Sequence, residues 1–380
     1  MTDMLPQPGV VFSLATYVLM VAILVVVHEG GHYLAGRLFG CRIDSFAFGF
    51  GGEIVGWNDR RGTRWKLNAI PLGGYVKFTG DMNEASQPDP ALLALPPAER
   101  EQLFVFKPLW QRAIIVAAGP AINFVFAILI LAGFYIGLGH PVTPPVATQI
   151  MPGSVAAAAG LRPGDRITAV DGVATTRFED IFNKVMVNAG EPMRLTVARG
   201  GATRDVTLVP RVVEEKDRFG NVSRHGRLGL LATGRELVRV GPVAALGLAV
   251  RDTWEISASI ATTIGQIVTG TRSLSEMGGP IKAGVVTGQQ ASLGVLAFVA
   301  FMAFFSINLG FINLLPIPML DGGHLLLYAV EAIRRQPIGA KVQEWAFMSG
   351  FAALMSLMAV LTWHDLGAVG VFHTLSRWVG

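Results

Sequence analysis

The residues His28-Glu29-Gly30-Gly31-His32 set two imidazoles four positions apart, with a carboxylate beside the first. On a helix, positions i and i+4 share a face, so His28 and His32 can aim at one divalent cation while Glu29 acts as general base for an attacking water. The pattern is short, and its setting gives it weight: it closes an apolar stretch, where ionisable groups are costly and mark function. A catalytic Zn2+ usually takes three protein ligands and keeps one position open, so a third donor must come from elsewhere. Cys41 is the single cysteine, which excludes a disulfide framework and a Cys-rich zinc knuckle and leaves His and carboxylate ligands. Asp321 is the candidate, at the end of the run Asn308-Leu-Gly-Phe-Ile-Asn313-Leu-Leu-Pro316-Ile-Pro318-Met-Leu-Asp321. Pro316 and Pro318 cannot continue a regular helix, so the chain can unwind there into a polar cavity. Asp321 also reads as the cap of a helix starting at Gly322; His324 is the spare imidazole, and Glu53 is an alternative third ligand. Asn308 and Asn313 read either as interhelical hydrogen-bonding residues or as groups that hold a substrate backbone or an oxyanion.

The elements that must position these residues are membrane spans. The 380 residues are 51% hydrophobic and 15% charged, against about 25% charged in a soluble domain. A net charge of +4 is slight for a nucleic-acid binder, and nucleic acid is discarded as a partner. Windows without Asp, Glu, Lys or Arg cover residues 4–28, 113–161, 283–320 and 345–364, each holding an apolar block of roughly the 20 residues a span requires. The expected fold is therefore a polytopic α-helical membrane protein with four transmembrane helices, at 1–35, 113–139, 293–320 and 345–366. Basic residues in the loop 321–344 place that loop, the third-ligand region, on the cytoplasmic side, so the first and third spans run parallel and bring His28, His32 and Asp321 to the same leaflet.

Residues 36–112 read as a cytoplasmic or membrane-reentrant β-hairpin region, with strands around Phe46–Gly52, Trp65–Ile70 and Gly73–Phe78. Gly73 and Gly74 are expected to help hold a substrate extended by strand addition. The proline-rich stretch 84–100 reads as a loop. Between 140 and 215, short alternating strands and Gly-Asp or Asp-Gly turns describe a small β-rich domain, and Ala159-Gly-Leu-Arg-Pro-Gly-Asp-Arg-Ile167 with Val170-Asp-Gly172 resembles the PDZ domains of bacterial envelope proteases. Such a domain captures extended peptides and peptide termini. Residues 216–292 read as a connector with an amphipathic helix at Ile256–Thr271, flanked by Arg251, Asp252, Glu255 and Arg272 and lying on the outer membrane surface or packed on the spans.

The HExxH span, the Asn-x-x-Pro-x-Pro-x-Leu-Asp-Gly run, Lys107-Pro-Leu-Trp-Gln-Arg112, Ala117-Ala-Gly-Pro-Ala-Ile-Asn123 and a PDZ domain between spans together resemble the site-2 protease family over nearly the whole chain. The resemblance implies a zinc metalloendopeptidase of the bacterial inner membrane. It implies substrates that are single-span membrane proteins, an anti-sigma factor or a remnant signal peptide, cut within or beside the lipid bilayer. His28, His32 and Asp321 take the ligand positions, Glu29 the general base, and Asn308 and Asn313 the polar substrate-side positions. One departure stands out: the enterobacterial form has two tandem PDZ domains, whereas one signature occurs here. Two rival functions, a membrane metal transporter and a noncatalytic PDZ scaffold, share some of these features; the first lacks visible internal repeats, and the second leaves Glu29 idle.

Overall fold

The computed structural model describes residues 8–80, 92, 94–216, 222–234, 236–270 and 278–368. In chain order its main elements are α1 (Val10–Leu38), β1 (Ile43–Asn58), β2 (Arg64–Phe78), α2 (Leu109–Gly137), β3 (Arg166–Val170), β4 (Val173–Ala174) and α3 (Phe178–Val187). They continue with β5 (Met193–Arg199), β6 (Ala202–Leu208), α4 (Pro242–Val268), α5 (Pro280–Ser292), α6 (Val295–Asn313), α7 (Asp321–Arg334) and α8 (Ala340–Ala368). Two compact units result, one of residues 1–131, 249–267 and 272–380 and the other of 132–248 and 268–271.

Among the described residues four helices are long and apolar enough to cross a bilayer: Val10–Leu38, Leu109–Gly137, Val295–Asn313 and Lys341–Leu366. At about 1.5 Å per residue, α1 and α2 reach roughly 43 Å, more than the ~30 Å hydrocarbon core. Between apolar helices there is little hydrophobic drive, so close approach through small residues decides how they pack. A Cβ at Gly31 would collide with the carbonyl of Ala118 on α2, and one at Gly288 of α5 with Ser13 on α1. The N-terminus of α5 is capped from α8: Asp365, fully buried, accepts the N–H groups of Gly279 at 3.1 Å and Lys282 at 2.9 Å.

β1 and β2 form one curled sheet where separate hairpins were expected. Ser45–Phe48 pairs with Gly74–Lys77 and also with Arg64–Leu67, and Glu53–Asn58 folds back over Arg64–Asn68. Gly49 and Gly51, with φ +85 each, make the bend. Tyr33 of α1 packs edge-on to Trp65 and Phe46 and donates to Asp59 at the sheet's turn, 3.1 Å away, which ties the sheet to the histidine-bearing helix.

Several boundaries move. The third span stops at Asn313 rather than 320, because Pro316 and Pro318 end it. Residues 283–292, expected to join that span's uncharged run or the connector, belong to the separate helix α5, divided from α6 by Gly294 at φ +115. The expected cytoplasmic loop 321–344 contains the helix α7. The amphipathic helix begins at Pro242 instead of Ile256; Arg251 and Glu255 lie inside it as an i,i+4 ion pair at 3.3 Å. Of the proline-rich stretch, residues 84–91 and 93 lie outside the described residues, and Pro97–Arg100 forms a single helical turn.

The second unit has a four-stranded antiparallel sheet in the order β4-β3-β5-β6 with α3 packed on it. Its core is Ile167, Val170, Ile181, Leu195 and Val197, all essentially removed from solvent, each contributing about 1.5–3 kcal/mol by burial. This is the expected PDZ-like β region. It extends past residue 215, because Leu230–Leu231 pairs with Gln149–Ile150 and Glu236–Val238 with His140–Val142, so strands assigned to the connector complete the domain.

Candidate metal centre

His28 and His32 lie in the C-terminal half of α1, one turn apart. Their Nε2 atoms are 3.3 Å from each other. Asp321 reaches both: Oδ2 is 3.2 Å from His28 Nε2 and Oδ1 is 3.5 Å from His32 Nε2. Among the described residues these three form the group of His, Cys, Asp and Glu side chains able to hold a metal ion. Neighbouring vertices of a tetrahedron stand about 1.6 bond lengths apart, so Zn–N and Zn–O bonds of 2.0–2.1 Å call for donor separations of roughly 3.3 Å. The observed spacings of 3.2, 3.3 and 3.5 Å fit a zinc ion with one position left open.

Asp321 is the first residue of α7 rather than its cap; the cap position is Leu320, and no side chain caps it. Two glycines let it stand there. A Cβ at Gly322 would collide with the carbonyls of Leu314 and Leu315, and one at Gly323 with that of Ile317, so the proline-broken segment folds back on the first turn of α7. Met319, in that segment, has φ +84, a conformation that side chains other than glycine rarely adopt.

The histidine rings rest on α2. The carbonyl of Ile115 lies 2.9 Å from His32 Nδ1, and a Cβ at Gly119 would collide with the His32 ring. Asn123 lies 3.0 Å from His28 Nδ1 through its amide. Ile115, Gly119 and Asn123 are spaced by four, one face of the helix. The sequence reading gave none of them a role; a buried Asn and a Gly inside an apolar span were the available signals.

The donors open on a cavity of about 320 Å³ whose lining includes Glu29, Tyr75, Asn313, Met319 and His324. Glu29 and Asn313 therefore share the cavity with the three donors. Gly74 lies beside Glu29, since a Cβ built there would stand 3.5 Å from Glu29 Cγ; Gly73 sits against the ring of Phe50. Asn308 is not among the residues that line this cavity: it is half-buried and donates to the carbonyl of Phe304 one turn back. Glu53 is engaged by Arg64 on the curled sheet and stands apart from the histidine pair. His324 packs on Phe347, ring centroids 4.8 Å apart, and burial pushes its imidazole below the ordinary value.

In the PDZ-like unit, a second cavity of about 250 Å³ lies between α3 and residues 226–231, lined by Met151, Phe178, Ile181, Phe182, Val185 and Leu230.

Two histidines and an aspartate with converging donor atoms, beside a glutamate and among apolar helices, are the parts of a membrane-embedded zinc hydrolase. Residues 16–357 match peptidase family M50. A zinc metalloprotease by name from Agrobacterium fabrum is 41% identical over 93% of this chain and 95% of its own length; one from Rhizobium meliloti is 40% identical over 93% and 96%. The metalloprotease MmpA of Caulobacter vibrioides is 36% identical over 96% of this chain and 98% of its own. The PDZ domain of an SdrC-like protein of Listeria monocytogenes aligns with 24% of this chain and 88% of that one, at 16% identity and a TM-score of 0.19. The chain belongs to peptidase family M50, the site-2 protease family, and is a membrane zinc metalloprotease.

Proposed function

We propose that His28, His32 and Asp321 hold the zinc ion and that the enzyme cuts single-span membrane proteins at the lipid boundary. Anti-sigma factors and remnant signal peptides are the fitting substrates, within regulated intramembrane proteolysis. The observation that carries this reading is the triangle of three donors at zinc-like spacing with Glu29 on the same cavity. Bound there, Zn2+ supplies Lewis acidity, polarising a scissile carbonyl and making a water acidic near neutral pH. Glu29 would take the proton of the attacking water and return it to the departing amine. Asn313 donates to the substrate main chain. A helical peptide bond is hydrogen-bonded and covered, so the substrate must be drawn out straight; Gly74 on β2, bare of side chain beside Glu29, and its neighbour Gly73 offer a strand edge for this.

The orientation follows the basic loops: catalytic end and curled sheet toward the cytoplasm of a bacterial inner membrane, PDZ-like unit in the periplasm. There the apolar cavity beside α3 accepts peptide termini and restricts which proteins enter. The test is purified enzyme in detergent with a single-span substrate. Glu29→Gln is expected to retain zinc and lose about 10²–10⁴-fold in cleavage rate, while Asp321→Ala loses the metal. Wild-type cleavage by Glu29→Gln would sink the proposal, and zinc uptake into vesicles without cleavage would make the protein a transporter.

A further inference from the structure

Asn123 carries more than helix packing explains. It is fully buried, its main-chain carbonyl accepts the Ser306 hydroxyl at 2.8 Å, and Gly310 of α6 packs closely against it. Its amide nitrogen stands 3.0 Å from His28 Nδ1, and its Oδ1 is buried with no hydrogen-bond partner among the described residues. A buried amide oxygen left without a donor costs about 1–3 kcal/mol.

The chemistry of the neighbouring ring gives this oxygen a use. An imidazole that offers Nε2 to a cation is neutral and keeps its proton on Nδ1. That proton needs an acceptor. For His32 the acceptor is fixed, because the Ile115 carbonyl, 2.9 Å from Nδ1, can only accept; Nε2 is thereby left bare toward Asp321. For His28 the partner is an amide, which can present either end. With Nδ2 toward the ring, Nδ1 must accept and the proton moves to Nε2, facing Asp321 Oδ2 at 3.2 Å. Half a turn about the Cβ–Cγ bond exchanges the two ends and brings Oδ1 to an Nδ1–H.

We propose that Asn123 is a positioning residue of the zinc site, whose side-chain carbonyl accepts the His28 Nδ1 proton and holds Nε2 ready for the metal, as Ile115 does for His32. The inference rests on His28 being a ligand. Outer partners of this kind typically alter metal affinity 10–100-fold when removed.

The experiment measures zinc affinity of the full-length protein in detergent by competition with a chromophoric chelator. The variants are Asn123→Leu, Asn123→Ala, Asn123→Asp and, as a check on the ligand itself, His28→Ala. Leu keeps the branching of Asn at Cγ without an acceptor and is expected to bind zinc about 10–100-fold more weakly; Ala, which only deletes atoms, stands in should the bulkier Leu not fold. Asp restores an acceptor and is expected to hold zinc as tightly as the native residue or better. A purely structural role would instead weaken Asp along with Leu and Ala. Equal affinity in Leu, Ala and native protein overturns the proposal, as does an Asp variant no better than Leu. Native affinity in His28→Ala would show that the ligand assignment had failed first.

Discussion

The guanidinium of Arg112 lies 3.1 Å from the carboxylate of Glu331 and covers the ring of Tyr328, with 5.0 Å from its centre to the ring centroid. Arg112 stands in the first turn of α2, the helix that supports both histidines, and Glu331 on α7, the helix that begins with Asp321. One ion pair thus links the support of two donors to the support of the third. Both side chains are largely buried, so removing one partner leaves a charge with poor solvation. Glu331→Gln is expected to cost about 1–3 kcal/mol of stability and to speed zinc loss to a chelator, both read on the purified protein by thermal unfolding and metal release. Unchanged metal release would show that α2 and α7 hold their places without the pair.

Gly119→Ala places a methyl group where the His32 ring sits. Because the ring is a proposed ligand, metal content and cleavage should both fall steeply, while Gly133→Ala on the same helix, which meets nothing within 4 Å, should leave both intact and gain up to about 1 kcal/mol in helix stability. Zinc analysis of the two proteins, side by side, separates a local clash from general intolerance of the helix.

Met319 offers a comparison between two substitutions. Both Met319→Ala and Met319→Gly remove its side chain from the cavity, yet only glycine adopts φ +84 without strain. The glycine variant should be more stable than the alanine variant by about 1 kcal/mol, measured by denaturant or heat. The reverse order would mean that the conformation carries no strain.

In the PDZ-like unit, Arg199 donates through Nε and Nη2 to the buried carboxylate of Asp165, each bond 2.6 Å, and this guanidinium holds the carboxyl below its ordinary range. A depressed carboxylate stabilises the fold above its unfolded pKa of about 3.9 and loses that contribution as the pH falls through the lower folded value. Arg199 remains a third exposed, so the expected cost of Asp165→Asn at pH 7 is about 1–2 kcal/mol. The gap between native protein and variant should begin to narrow as the pH falls below ~4. Unfolding of the full chain across pH 3 to 7 checks both the size and the direction.

What could be read beforehand was whatever depended on few residues. His28 and His32 share a face by helical geometry alone, and Asp321 reaches them by the parity of the spans. The apolar blocks marked the four spanning helices because each is apolar over a long window. What escaped depended on how separate segments meet. Ile115, Gly119 and Asn123 acquire their places only once α2 lies at one rotation and height against α1. The curled sheet needed knowledge of where Gly49 and Gly51 turn the strand. α5 and α7 are rich in glycine and lie next to proline or an uncharged run, which blurs their limits, and Asn308 turns away from the cavity although its neighbour Asn313 lines it.

The spacing of Ile115, Gly119 and Asn123 constrains how the two helices slide. A slip of α2 by a single residue would turn its contact face by about 100° and substitute Val116, Pro120 and Phe124 for the carbonyl, the gap and the amide. All three lie on one face of a single helix, so such a slip displaces them together. The three contacts to the histidine rings are therefore made together or lost together.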